Sequence, residues 1–190
     1  MHDDLRNKFL DMHNYRRAQL AKSNIAKKNC NYLPQSSDMQ RMRYDCALEN
    51  NAADYLSTCP SSKSAESLRP GVGENFVRVS QEGLATYMAA AQNAVSSWWK
   101  VIRFEEGPGL QVYFRQKHIG TAIESFTQMA WSTSRKLGCA IANCGNDYIA
   151  AYRYSPKGNH VDQVIYEKGT PCTACAAGSW CTEDALCTLP

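Results

Sequence analysis

The stretch "SFTQMAWSTSRKLGCAIANCGNDYIAAYRYSPKGN", residues 125–159, contains a helical turn followed by two strand-like runs. "SFTQMAW" predicts the short helical turn. The runs "KLGCAIANC" (136–144) and "DYIAAYRYSP" (147–156) are joined by the turn "CGND" and predict an antiparallel hairpin.

Helices are predicted on the N-terminal side of this hairpin. Asp3 or Asp4 can cap a first helix, and Asp38 can cap a second that ends near Cys59. The third helix has apolar residues at three- and four-residue steps, namely Leu84, Tyr87, Met88, Ala91, Val95, Trp98, Trp99 and Ile102. "VGENFVRVS" predicts a short strand before it. Helices flanking a few antiparallel strands indicate a layered α/β fold.

Cysteine content and charge limit the class of protein. The chain has 190 residues and nine cysteines, which is typical of disulfide scaffolding in an oxidising compartment and predicts a secreted protein. The net charge of +3 is spread over interleaved acids and bases, which gives no argument for a nucleic-acid partner or an anionic membrane. No apolar run reaches the ~18 residues of a membrane span, and the start of the chain lacks a signal-peptide core, so we expect a mature chain.

The sequence gives only weak signals for a catalytic or metal-binding site. Ser125 lacks the flanking glycines of a nucleophile elbow and is better interpreted as the N-cap of the following helical turn. The neighbouring Glu124 suits the same helix N-terminus through the helix dipole. The "CTAC" motif in the tail could form a four-thiolate zinc site, but crossed disulfides are favoured in an oxidising compartment. Lone histidines such as His13 are more often structural hydrogen-bonding groups than ligands.

Four landmarks in this order resemble those of the CAP superfamily of cysteine-rich secretory, antigen-five and pathogenesis-related proteins. They are "HNYRR" at 13–17, "GVGENF" at 71–76, "SFTQMAW" with "KLGC", and "YRYSPKGN" ahead of "IYEKG". The cysteine-rich tail is similar to the hinge of the Ancylostoma-secreted proteins of nematodes. The resemblance implies an α-β-α sandwich with a small antiparallel sheet between helices, as a domain over residues 1–168 followed by a hinge tail over residues 169–190.

The resemblance also implies a cleft in which members of the superfamily often hold a divalent metal with two histidines and two glutamates. Those four positions fall on Lys63, Glu74, Val101 and Ser125, with Glu124 and Gln128 as cleft neighbours. Only Glu74 keeps its family identity. A protonated lysine, a valine and a serine hydroxyl are poor replacements for imidazole and carboxylate, so we expect no metal and no other cofactor in this cleft.

The disulfide pattern of the superfamily can be transferred only in part. It implies a Cys59–Cys144 bond, and the tail suggests Cys172–Cys181 and Cys175–Cys187. Tyr152 stands where the second signature motif of the family has a cysteine, which leaves Cys139 as the odd thiol. The remaining pair would be Cys30–Cys46; alternatively, one of these two is exposed and joins two chains into a dimer.

The loss of three cleft positions favours a secreted host-interaction protein over an enzyme. The resemblance implies an antagonist of host cell adhesion, with a host cell-surface protein such as an integrin as partner, acting as a monomer or weak dimer. No RGD or KGD tripeptide is present. One alternative is a sterol or fatty-acid carrier with a groove lined by the Trp-, Met- and Tyr-rich third helix. The other is a weak hydrolase, which would need a histidine such as His118 within reach of Ser125.

Overall fold

The computed structural model describes residues 1–84 and 86–189. The helices are α1 (Asp3–Ala21), α2 (Cys46–Leu56), α3 (Tyr87–Lys100) and α4 (Ile123–Ala130). The strands are β1 (Arg43–Tyr44), β2 (Gly73–Ser80), β3 (Lys136–Cys144), β4 (Asp147–Ser155), β5 (Trp180–Cys181) and β6 (Cys187–Thr188). Three 3-10 turns lie at Glu66–Leu68, Val101–Arg103 and Gln116–His118.

A four-stranded sheet in the order β1-β3-β4-β2 forms the middle layer. The predicted hairpin is confirmed, since β3 and β4 pair antiparallel around Gly145 with φ of +72°. Strand β2 pairs antiparallel with β4 on the far side. The short β1 runs parallel to β3, so the sheet is antiparallel except at this edge.

Helices cover both faces of the sheet, which confirms the α-β-α sandwich. Side chains of α1, α3 and α4 form the larger core with Tyr152 and Tyr154 of β4. On the other face, α2 packs through Ala52 and Leu56. This helix lies so close to β3 that a Cβ at Gly138 would be 2.4 Å from the backbone nitrogen of Glu49. No helix within the described ranges is long and apolar enough to cross a membrane.

The predicted start of the second helix was wrong. Asp45, and not Asp38, caps α2 by accepting hydrogen bonds from the backbone N–H groups of Ala47 and Leu48, each at 3.0 Å. Residues 39–45 are extended instead. Met39 and Met42 are both buried, and their three-residue spacing is the same as on one face of a helix. The backbone of this segment instead forms hydrogen bonds with neighbouring segments.

Two other expected helix starts differ by smaller amounts. His2 is the N-cap of α1, and Asp3 and Asp4 lie in the first turn, where their charges suit the helix dipole. Thr86 caps α3 by accepting a hydrogen bond from the backbone of Ala89, so Leu84 lies outside the helix.

The structure contains the Cys59–Cys144, Cys172–Cys181 and Cys175–Cys187 disulfides. The expected Cys30–Cys46 pair was wrong, because both thiols are free and exposed. Cys30 follows the C-terminal end of α1, whereas Cys46 starts α2, whose Glu49 binds Arg6 near the other end of α1. Most of the length of α1, roughly 20 Å at 1.5 Å per residue, separates the two places, and a disulfide needs Cα atoms within about 7 Å.

Cys139 is the third free cysteine and is fully buried. Its direct cross-strand neighbour is Tyr152, whose ring packs against Phe9, His13 and Trp98. Burial raises the pKa of the Cys139 thiol well above its usual value, as expected for an inert structural cysteine.

The C-terminal tail is docked on the sandwich by more than its disulfides. Leu186 is fully buried in the larger core, and backbone hydrogen bonds join Cys187 to Met39 and Arg41 at 2.8 and 2.7 Å. The described part of the tail, residues 169–189, is therefore attached to the same core as the preceding residues, and the division at residue 168 stays a prediction.

Candidate functional site

The four cleft positions taken from the family come together in space. Lys63 from the loop after α2, Glu74 of β2, Val101 at the end of α3 and Ser125 of α4 all line one cavity of about 280 Å³. A second cavity of about 340 Å³ adjoins it and shares Lys63, Glu74 and Glu124 with it. We call the two cavities together the cleft.

Glu74 is the buried acid of this cleft. Strand pairing places it directly across from Arg153 of β4, and the Glu74 Oε2 to Arg153 Nη2 distance is 3.0 Å. Its Oε1 accepts hydrogen bonds from the backbone N–H and the hydroxyl of Ser64 at 2.6 and 3.2 Å. Arg69 Nε lies 3.9 Å from the same oxygen. The carboxylate is therefore surrounded by two guanidinium groups and a serine.

The donors in the cleft do not fit a divalent metal. At about 4 Å and an effective dielectric constant of 20, each pair of like unit charges repels by about 4 kcal/mol, and a doubly charged ion beside Arg69 and Arg153 would meet more. Val101 supplies no donor atom. The Ser125 hydroxyl donates to the backbone oxygen of Ala122 at 2.8 Å. Glu74 thus stabilises the buried arginines. A metal at this position would need a carboxylate that is not already engaged in such contacts.

Lys63 and Glu124 form an ion pair between the two cavities. The Lys63 Nζ to Glu124 Oε2 distance is 3.2 Å, and Glu124 Oε1 accepts a hydrogen bond from the backbone of Gly120 at 3.1 Å. The lysine side chain is 54% exposed, so water screens the pair and its contribution to stability is small. The pair can open without disturbing the core.

Ser125 does not cap helix α4, and its hydroxyl contacts backbone oxygens. Ala122 is the N-cap of α4, which corrects the expected role of Ser125. Besides Ala122, the Ser125 hydroxyl reaches only the backbone oxygen of Trp98, at 3.4 Å, among the residues placed in the structure. The His118 ring instead accepts a hydrogen bond from the backbone of Arg115 at 2.9 Å. The nucleophile–base contact that a hydrolase requires is not formed in the described part of the chain.

Gln128 connects α4 to the loop after β4. Its Oε1 accepts the backbone N–H of Gly158 at 3.0 Å, and its Nε2 donates to the Ser134 hydroxyl at 3.2 Å. A Cβ at Gly73 would lie 2.1 Å from Gln128 Oε1, so a larger residue at this strand start would displace the Gln128 amide from its present position. Gln128 lines the larger cavity, and both atoms of its amide are engaged in hydrogen bonds within the protein.

Sequence reasoning missed Ser64, Arg69 and Arg153, the residues that neutralise Glu74. Ser64 Oγ accepts from Arg69 Nε at 3.1 Å and from Arg153 Nη1 at 3.0 Å, so all four side chains form one buried network. The pairing of Glu74 with Arg153 depends on the register of β2 against β4. Each strand by itself carries no signal for that register.

A second buried network lies behind the cleft. His13 of α1 contacts Tyr154 Oη at 2.9 Å through its Nε2 and the backbone oxygen of Phe9 at 2.8 Å through its Nδ1. Asn75 donates to Tyr154 Oη at 3.3 Å and to the backbone oxygen of Ser125 at 3.0 Å. Burial lowers the pKa of His13 to about 3, so the ring is neutral at physiological pH. The network joins α1, β4, β2 and α4.

Comparisons with known proteins agree with this architecture. The model of the cysteine-rich secretory protein family matches residues 10–167. The chain is 34% identical to the Ancylostoma secreted protein of Ancylostoma caninum, covering all of this chain but 45% of that protein. It is 31% identical to hookworm platelet inhibitor 1 of the same species, covering 96% of this chain and 80% of the relative. The chain thus spans less than half the length of the first relative and most of the second.

A solved structure shows the same likeness. The crystal structure of NaASP2 with Zn²⁺ superposes with a TM-score of 0.89 at 31% identity, covering 98% of this chain and 96% of that one. The zinc belongs to that protein. In this chain, the two arginines beside Glu74 occupy the surroundings that a metal at this carboxylate would need.

Proposed function

Because this chain belongs to the cysteine-rich secretory protein (CAP) family, we propose that it is a secreted binding protein that antagonises host cell adhesion and has no enzymatic activity. The observation that carries this proposal is the neutralised Glu74. Its carboxylate is held by Arg153 and Ser64 and is not open to act as a base or as a metal ligand.

Three disulfides in a chain of 190 residues support secretion, since such bonds persist in oxidising compartments. The name of one relative, hookworm platelet inhibitor 1, supports an action on host blood cells. For this chain we propose an adhesion receptor of platelets or leukocytes, of the integrin type, as the partner. With no RGD or KGD tripeptide in the sequence, the contact does not use an aspartate-bearing loop of that kind.

We place the contact face at the rim of the cleft. Ile119 and Val161 line the larger cavity and are 47% and 37% exposed. Exposed apolar side chains rimmed by charged ones are typical of protein-binding surfaces. The Lys63–Glu124 ion pair beside them can rearrange at little cost when a partner docks.

The test is inhibition of platelet and leukocyte adhesion to immobilised fibrinogen and collagen by the disulfide-intact protein. Ile119→Glu is expected to raise the half-inhibitory concentration about tenfold or more, as for the loss of an interface anchor. Leu110→Glu is the matched control, because Leu110 is 62% exposed and lines neither cavity of the cleft. It should inhibit as the unchanged protein does.

Absence of any inhibition by the unchanged protein would reject the adhesion function. Inhibition that both variants retain would keep the function and reject the cleft rim as its face.

A sterol or fatty-acid carrier is the second candidate, and one cavity favours it. A cavity of about 280 Å³ near the starts of α1 and α3 is lined largely by apolar groups, including Leu5, Tyr87 and Ile141. Trp98 and Trp99, the expected groove residues, are instead 6% and 8% exposed and pack in the core.

Native mass spectrometry of the protein incubated with sterol or fatty acid tests this second candidate. Ala53→Phe fills the cavity and should abolish a lipid adduct. Ala47→Phe, on the same helix α2 but outside the cavity, should keep it. The lipid hypothesis fails if no adduct forms or if both variants keep it.

A further inference from the structure

The extended residues 39–45 lie between the tail and the edge of the main sheet. On one side, the backbone N–H of Arg41 donates to the Cys187 oxygen at 2.7 Å. On the other side, Arg43 donates to the Arg135 oxygen and Asp45 to the Leu137 oxygen, both at 2.8 Å. The docked tail thus borders this surface and contributes Leu189 to it.

Four basic residues meet on this surface, which we call the basic seam: Arg41, Arg43, Arg135 and Lys136. They line an open cavity of about 320 Å³ together with Gln40 and Leu189. The parallel pairing of β1 with β3 places Arg43 directly opposite Lys136. Like charges directly opposite each other on paired strands repel, so this pair lowers the stability of the folded protein. Basic and acidic residues are interleaved along the sequence, and the fold brings these four basic residues to one surface.

Acidic neighbours compensate this charge only in part. Lys136 Nζ lies 3.0 Å from Asp45 Oδ2. Arg41 lies 3.5 Å from Asp184, but their side chains are 38% and 62% exposed, so that pair is weak. The Arg135 guanidinium has no ion-pair or hydrogen-bond partner among the described residues. Through Arg41 and Arg135, the seam therefore keeps positive charge in contact with water.

A further cation lies beneath the seam. Arg17 of α1 is fully buried, and its guanidinium donates to the backbone oxygens of Gln40 and Ser132 at 2.9 and 2.8 Å. Its hydrogen bonds within the described chain are to carbonyl oxygens, so no carboxylate touches it. The carboxylate of Asp38, which binds the Ser132 hydroxyl, is close enough to offset part of this charge, so Arg17 adds only the remainder to the potential beneath the seam.

We propose that the basic seam binds a sulfated polysaccharide chain. Two residues of extended backbone span about 7 Å and paired strands lie about 4.8 Å apart, so the four residues are spaced along the backbone at about the separation of neighbouring sulfated sugars, and they line one open cavity. An open array of this kind suits the repeating charges of a polyanion better than a single enclosed phosphate. The disulfides point to an extracellular setting, where sulfated polysaccharides are the common polyanions. This site is separate from the cleft and independent of the adhesion function.

The test is calorimetric titration of the full chain with a heparin octasaccharide at several salt concentrations. The double variant Arg41→Gln/Arg135→Gln should weaken binding about tenfold or more. Its slope of log affinity against log salt should fall by about two, one for each lost contact, as for other polyanions. Lys100→Gln/Arg103→Gln is the matched control. It removes two exposed charges at the end of α3, away from the seam, and should change affinity by less than about twofold.

Three results would overturn the proposal. The first is no octasaccharide binding by the unchanged protein at about 150 mM salt, where only weak long-range attraction is screened out. The second is an equal loss in both double variants, which would mean that net charge alone is sensed. The third is complete displacement of the octasaccharide by inorganic phosphate at equal concentration, which would indicate a single-anion pocket.

Discussion

The cleft and the basic seam both collect arginines, but their positive charge has different surroundings. In the cleft, Arg69 and Arg153 are buried around the carboxylate of Glu74 and share one serine with it. At the seam, Arg41 and Arg135 face water with weak or no described carboxylate partners. The buried arginines of the cleft pair with the carboxylate that could otherwise ligate a metal. The exposed arginines of the seam remain able to attract an anion. The family cleft positions therefore do not indicate which of the two regions presents exposed positive charge.

The largest effect is expected from Glu74→Ala. This change leaves Arg69 and Arg153 buried without their carboxylate and should lower the free energy of unfolding by about 3–5 kcal/mol. Urea denaturation followed by circular dichroism measures it. Glu66→Ala is the control, because Glu66 pairs with Lys157 at the surface and its side chain is 65% exposed. That variant should lose less than about 1 kcal/mol. Equal small losses in the two variants would contradict a neutralising role for Glu74.

Acid should destabilise the protein through His13, behind the cleft. The pKa of His13 is lowered to about 3 in the fold, from 6.5. Between these values the unfolded chain binds more protons than the folded one, so stability falls as the pH is lowered through this window. The slope from this group is at most about 1.4 kcal/mol per pH unit, or about 3 kcal/mol between pH 6.5 and 4.

Urea denaturation across that pH range should show this slope in the unchanged protein and a shallower one in His13→Gln. Parallel curves would mean that His13 does not cause the acid sensitivity. A second lowered histidine, His118, is retained in both proteins and cancels from the difference.

Lys63→Ala should have a small effect. The ion pair with Glu124 is largely exposed, so its loss is expected to cost less than about 1 kcal/mol. The same urea experiment measures it. A loss near that of Glu74→Ala would show that the ion pair supports the cleft, against the account given above.

Arg135→Gln at the basic seam should have the smallest effect on folding. An exposed side chain with no described partner contributes within about 0.5 kcal/mol. A clear gain in stability would indicate relief of repulsion with Lys136 and would strengthen the contrast with the cleft. A loss above about 1 kcal/mol would mean that the arginine has a structural role.

The parts of the fold that follow local patterns could be predicted from the sequence. The two strand-like runs joined by "CGND" predicted the hairpin, and the family landmark "GEN" predicted a cleft position for Glu74. The predicted helix cap at Asp38 was wrong because the spacing of Met39 and Met42 fits an extended segment covered by the tail equally well. Arg153 and Arg69 were missed because their roles depend on strand register and on a loop path.

The cysteines show the same limit. The family resemblance implied the bond between Cys59 and Cys144, and the structure contains it. The pairing of Cys30 with Cys46 was predicted only because the other cysteines had been assigned. In the structure both thiols are free, and most of the length of α1 lies between them. The basic seam was invisible in the sequence, since residues 41–43 and 135–136 become neighbours only through the pairing of β1 with β3.

Calorimetric titration of the unchanged protein with zinc tests most directly whether the cleft has lost its metal chemistry. The account predicts no saturable micromolar binding, because Arg69 and Arg153 hold the Glu74 carboxylate. Saturable micromolar zinc binding that disappears in Glu74→Ala would contradict it.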